Sequence, residues 1–302
     1  KAFSKYAADE GVKPILGCQF LLRNKDSDDI LKSKGRELDP DKIVLLVMSD
    51  VGYSNINKLM KRFYLDNTLN GWSPQLTLDN LKEFNEGLIA LTGGIDGPVG
   101  RLLLENRKSE AEETLCELKN IFGDRLYMEI SRIGLEKEEQ TEDDFIDFAY
   151  KYNIPLVATN EVFFLNEDMY EAHDALVCIA QGEFVANENR HHFSVNNRLK
   201  TPEEMAELFA DLPEALENTV NIAKRCNYLS EKVDPLLPVF ECPDGKTQDE
   251  FITEESYKGL KERMERHVYF EGMSDEQKQE IISKLKTEVA LNNQNGDGAI
   301  KS

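Results

Sequence analysis

The chain has 302 residues, 40% hydrophobic and 31% charged, with a formal net charge of −21 at pH 7. This balance excludes a disordered polymer and supplies enough apolar material for one large domain or two ordinary ones. The five cysteines (Cys18, Cys116, Cys178, Cys226, Cys242) are scattered, odd in number and without a C-x-x-C pair, which fits a reducing cytoplasm better than a disulfide framework. There is no signal-peptide arrangement and no apolar run of about 18 residues or more, so nothing points to secretion or a membrane partner.

The chain opens at Lys1 inside a helix-like pattern (Phe3, Tyr6, Ala7) with no capping residue ahead of it, and reads as a fragment. Apolar strand candidates follow at 14–22 (PILGCQFLL), 42–48 (KIVLLVM), 87–92 (GLIALT), 125–130 (RLYMEI) and 155–159 (PLVAT). Between them, apolar residues recur at helical spacing in 52–63, 99–107, 109–122 and 142–153. Regular alternation of the two predicts an α/β domain with a parallel sheet, open or closed.

After residue 165 helices dominate. Thr201-Pro202-Glu203-Glu204 carries capping-box residues with proline at the first helical position, and Asp211-Leu212-Pro213-Glu214 is expected to start the next helix. The run 234–238 (DPLLP) cannot continue a helix and predicts an extended linker, with a boundary near 235–245. Beyond it, 254–267 and 274–289 read as amphipathic helices, the second with a Ser274…Gln277 capping box, and the aperiodic tail 292–302 is expected to fray.

Charge is uneven along the chain. Residues 1–100 carry 13 basic against 14 acidic residues, while 101–302 carry 23 against 43. An acidic surface opposes contact with phosphates, although an excess of this kind also serves solubility alone.

Within 154–164 (IPLVATNEVFF) an apolar run ends abruptly at Thr159-Asn160-Glu161, as a buried strand does at a functional rim. This stretch resembles a strand of the PHP (polymerase and histidinol phosphatase) domain of bacterial replicative DNA polymerase III alpha subunits. GVKPILGCQF, LLVMSDVGYSNINKLM, GLIALTG, the 199–226 segment LKTPEEMAELFADLPEALENTVNIAKRC and LPVF are similar to the same family, in its order, through about residue 287. The resemblance implies a distorted seven-stranded β/α barrel over 1–240, its first strands missing, then a helical segment over 241–302 leading toward the polymerase palm. It also implies a truncation or altered frame after about residue 287.

The family's metal-site positions carry over one by one. Its glutamate falls on Gln19, one histidine on Lys42, its cysteine on Gly94, its aspartate on Glu161 and a second histidine on Phe163. An amide, an ammonium, a missing side chain and a phenyl ring are poor or impossible ligands, so Glu161 alone keeps a competent donor. No catalytic residue and no metal or other cofactor is expected in this segment, while the parent polymerase would use magnesium in its palm.

Other features carry duller readings. The loop 92–100 (TGGIDGPVG) lacks the Lys-Ser/Thr of a P-loop and reads as a glycine-rich turn. His191-His192 lacks a third ligand, His173 and Asp174 are neighbours that do not face each other on a helix, and the acidic run 136–144 reads as a solvated helix start. The resemblance thus predicts a degenerate PHP scaffold that docks a proofreading exonuclease and other polymerase III holoenzyme subunits, with DNA met through the rest of the parent protein. The alternatives are an active metal-dependent PHP phosphoesterase or 3′–5′ exonuclease, and a free-standing barrel hydrolase.

Overall fold

The structure, a computed structural model, describes residues 2–24, 26, 39–66, 74–187, 189–190, 192–230, 240–266, 272–284 and 287. They belong to two compact units, Lys1–Glu231 and Lys232–Ser302. The expected linker 234–238 and the tail 292–302 lie outside the described residues.

In the first unit, α1 (Ala2–Asp9) leads to β1 (Gly17–Leu22) and then β2 (Asp41–Val47). β2 alternates buried with half-buried residues, as a strand does when only one of its faces is fully covered. With β3 (Leu88–Leu91), β4 (Leu126–Ser131) and β5 (Leu156–Thr159) it forms a five-stranded sheet in the order β1-β2-β3-β4-β5. β3, β4 and β5 run parallel, but β1 and β3 are both antiparallel to β2, which corrects the wholly parallel sheet expected from the alternation.

The cause is where the chain returns. Helix α2 (Asp50–Lys61) leaves the Val47 end of β2, and Leu76 next bridges to Leu22 at the opposite end of the sheet. Helix α3 (Leu78–Glu83) then carries the chain back, so that β3 starts where β2 stopped and the Met48 amide donates to the Gly87 carbonyl at 2.9 Å. Helices α4 (Pro98–Leu104), α5 (Lys108–Phe122) and α6 (Glu136–Tyr152) serve the parallel strands.

One face of the sheet is thickly covered. Phe20, Leu45, Leu88 and Met128 pack there with Leu115, Leu118 and Phe122 of α5 and Phe148 of α6, each such side chain contributing about 1.5–3 kcal/mol by leaving water. The other face carries Ile89, Leu91, Tyr127 and Val157, against which α9 (Pro213–Arg225) sets Ile222 with Cys226 beyond its end. Val44, Leu46 and Met48, on the β2 side of that face, are only partly buried. The rim discussed below borders this thinner side.

α7 (Tyr170–Gln181) and α8 (Pro202–Leu208) complete the unit. α8 has the expected box, with the Thr201 amide donating to Glu204 Oε2 at 2.7 Å and the Glu204 amide to Thr201 Oγ1 at 3.2 Å. α9 starts at Pro213 as expected, with Leu212 as its N-cap, while the Asp211 carboxylate accepts from Arg132 Nη1 at 2.6 Å. In the second unit, α10 (Gln248–Arg266) begins ahead of the expected residue 254. Thr247 and Glu250 cap it reciprocally, at 3.0 and 3.3 Å. Helix α11 (275–284) has its Ser274…Gln277 box in place, at 3.1 and 3.3 Å.

Candidate functional site

Lys42 is the second residue of β2, and the register that pairs Val44 with Leu91 sets it beside the turn leaving β3. The approach is close. A Cβ on Gly93 would lie 2.2 Å from the Lys42 carbonyl oxygen, and Gly93 holds φ +82°, so this position accepts glycine alone without strain. A 3-10 turn, Gly94–Asp96, then brings the Asp96 carboxylate over β2. Lys42 Nζ donates to Asp96 Oδ2 at 2.8 Å and stands 3.9 Å from Glu161 Oε1, just past the end of β5. From β4, Glu129 Oε2 accepts the Gly93 amide at 3.1 Å while the Glu129 amide donates to Thr92 Oγ1 at 3.0 Å.

Four strands thus deliver one ammonium and three carboxylates to a single rim. Burial pulls the Lys42 pKa down, but the Asp96 hydrogen bond and the charges of Asp96, Glu161 and Glu129 outweigh it and raise it above the ordinary lysine value. Burial pushes the Glu129 carboxyl up, opposed by the Gly93 amide and reinforced by the Glu161 charge. An ammonium held charged is neither base nor ligand. A catalytic metal centre needs deprotonated donors around an open position, and this donor set, with a cation already built into it, does not fit one. Among the described residues no group of three or more His, Cys, Asp or Glu is arranged to hold a metal ion.

The five positions singled out in the sequence separate here. Lys42 and Glu161 come together, and Gly94, at φ +55°, sits in the turn that aims Asp96. Gln19 is an exposed residue of β1, opposite Val44. Phe163 joins an aromatic group instead, stacked on His173 with ring centroids 5.4 Å apart and tilted against Phe193 at 4.4 Å. Sequence reasoning missed Asp96 and Glu129. A signal existed for Glu129, the lone carboxylate in the otherwise buried strand LYMEI; nothing marked Asp96 within its turn.

The remaining candidates resolve locally. The loop 92–100 is a tight turn in which a Cβ on Gly97 would lie 1.9 Å from the Thr92 carbonyl oxygen. Asp174 turns from His173 to accept Arg190 Nη1 at 2.6 Å, with His192 Nδ1 at 3.8 Å, and His191 lies outside the described residues. The acidic run does start α6, but Glu138 is not solvated. It is buried, and its Oε2 accepts the amides of Ile133, Gly134 and Leu135 at 2.9, 3.1 and 3.1 Å, satisfying donors ahead of the helix.

Over residues 1–133 the chain matches the PHP domain family. It is 39% identical to the DNA polymerase III subunit alpha of Caulobacter vibrioides (strain NA1000 / CB15N) over 87% of this chain and 23% of the relative. The corresponding subunit of Pseudomonas aeruginosa is 38% identical over 87% of this chain and 22% of its own length, and that of Vibrio cholerae 35% over 97% and 24%. The chain is thus similar to DNA polymerase III alpha subunits over most of its own length, with a PHP domain match in its first 133 residues. It spans between 22% and 24% of the length of these curated relatives.

Proposed function

We propose that this chain is the degenerate PHP portion of a replicative DNA polymerase alpha subunit, acting as a scaffold for the palm and as a docking module for a proofreading exonuclease, without a catalytic metal cluster. In this reading the five-stranded sheet is part of a seven-stranded barrel over 1–240, and 241–302 leads toward the palm, where magnesium serves polymerisation. Its setting is the cytoplasmic holoenzyme, which meets DNA through the rest of the polypeptide. The observation that supports it most is the Lys42 ammonium paired with Asp96 at 2.8 Å at a position where a metal-binding relative would place a histidine. A barrel whose ligands are lost while its strands and helices persist is kept for its surface and its support of neighbouring domains.

Two measurements test this proposal. Elemental analysis of the purified chain should find no stoichiometric zinc or manganese and no chelator-sensitive phosphatase activity; finding both would restore the enzyme reading. Mixed with the cognate exonuclease at about 10 µM, where even a weak contact shifts elution, the two should co-elute. Separate elution at that concentration would leave the scaffold role and remove the docking role.

A further inference from the structure

Asp96, Glu129 and Glu161 reach one rim from three different strands, and without a counter-ion the repulsion between the Asp96 and Glu161 carboxylates would push the turn after β3 and the segment after β5 apart. Lys42 answers from β2, 2.8 Å from Asp96 and 3.9 Å from Glu161. Its backbone is pinned in turn by the close approach of Gly93 to its carbonyl oxygen. Taking up the metal-free reading above, we propose that the Lys42 ammonium takes the place of a divalent cation, an internal counter-ion that holds the rim of Asp96, Glu129 and Glu161 together. A tethered charge of this kind is present at every metal concentration and is indifferent to chelators.

The test compares thermal unfolding of the whole chain with and without MnCl2, at low ionic strength. Wild type should melt at the same temperature in manganese and in EDTA. Lys42→Met keeps the length of the side chain and removes its charge; its melting temperature in EDTA should fall by about 2–4 °C. Millimolar manganese should restore part of that loss. Lys42→Arg should behave as wild type. Asp96→Asn, which leaves the ammonium in place, should melt lower than wild type and show no manganese response, and serves as the second variant should Lys42→Met fail to fold. A Lys42→Met protein that melts as wild type and ignores manganese, or an Asp96→Asn protein that melts unchanged, would overturn the counter-ion while leaving the metal-free scaffold standing. Stoichiometric manganese on wild type would overturn both.

Discussion

At the scale of single residues, Gly93 and Phe163 make opposite cases. Gly93 looks like any turn glycine in the sequence, yet it combines φ +82° with a Cβ position 2.2 Å from the Lys42 carbonyl oxygen. Gly93→Ala should therefore cost about 2–4 kcal/mol in urea unfolding, from backbone strain together with overpacking; a loss below about 0.5 kcal/mol, the level of an ordinary surface substitution, would contradict the close approach. Phe163 carries the family resemblance, but it is 41% exposed and its ring spends itself on His173 and Phe193. Phe163→His should lose only the aromatic pairing, about 0.5–1.5 kcal/mol, and should create neither metal binding nor phosphatase activity, because Lys42 and Gly94 remain as they are. Elemental analysis of the variant checks the second half. The five positions Gln19, Lys42, Gly94, Glu161 and Phe163 were legible in the sequence because a motif lists residue types. Asp96 and Glu129 were not, because what joins them to Lys42 is the register of β2 on β3 and the hand of one turn.

At the scale of elements, position was more legible than direction. Strand and helix periods differ, so all five strands and the longer intervening helices could be found in order, whereas the six-residue α3 could not. An apolar run reads the same whether its neighbour is parallel or antiparallel, and the antiparallel pairing of β2 follows from α2 and α3 returning the chain to the end it left. Helix starts were legible where two side chains reciprocate, as in Thr201 and Glu204, and where proline opens the first turn, as at Pro213, although there Asp211 gives its carboxylate to Arg132. The α8 cap also gives a pH signature. The Arg198 guanidinium, helped by the Thr201 amide, lowers the Glu204 carboxyl from the ordinary 4.5 to about 2. A depressed folded pKa means that its stabilisation is present above 4.5 and is lost as pH falls from there toward about 2. Glu204→Gln should therefore melt below wild type at pH 7, and the gap should close as the pH is lowered through that window. Melting curves whose separation stays constant from pH 7 to about pH 2.5 would show that the ionised carboxylate is not what holds the turn.

At the scale of the whole molecule, the net charge of −21 understates how little positive surface is on offer. Several cations of the first unit are already engaged in ion pairs. Arg101 holds Asp41 at 2.6 Å, Arg107 holds Asp26 at 2.5 Å, and Arg132 is shared between Glu142 and Asp211 at 2.5 and 2.6 Å. Arg198 meets Glu167 and Glu204 at 3.2 and 2.6 Å, Arg225 meets Asp124 at 3.0 Å, and Lys42 meets Asp96 at 2.8 Å. Turning these cations toward a duplex would mean breaking such pairs before any counter-ion release could repay the cost, against the field of the surrounding carboxylates. The isolated chain should accordingly bind duplex DNA no more tightly than about 1 µM at physiological salt, and should not extend a primer. Fluorescence anisotropy of a labelled duplex, read at low and at physiological salt, checks the first; a submicromolar dissociation constant that weakens steeply with salt would mean that a basic surface has formed from residues paired here, and the assignment of DNA contact to the rest of the polymerase would fail with it.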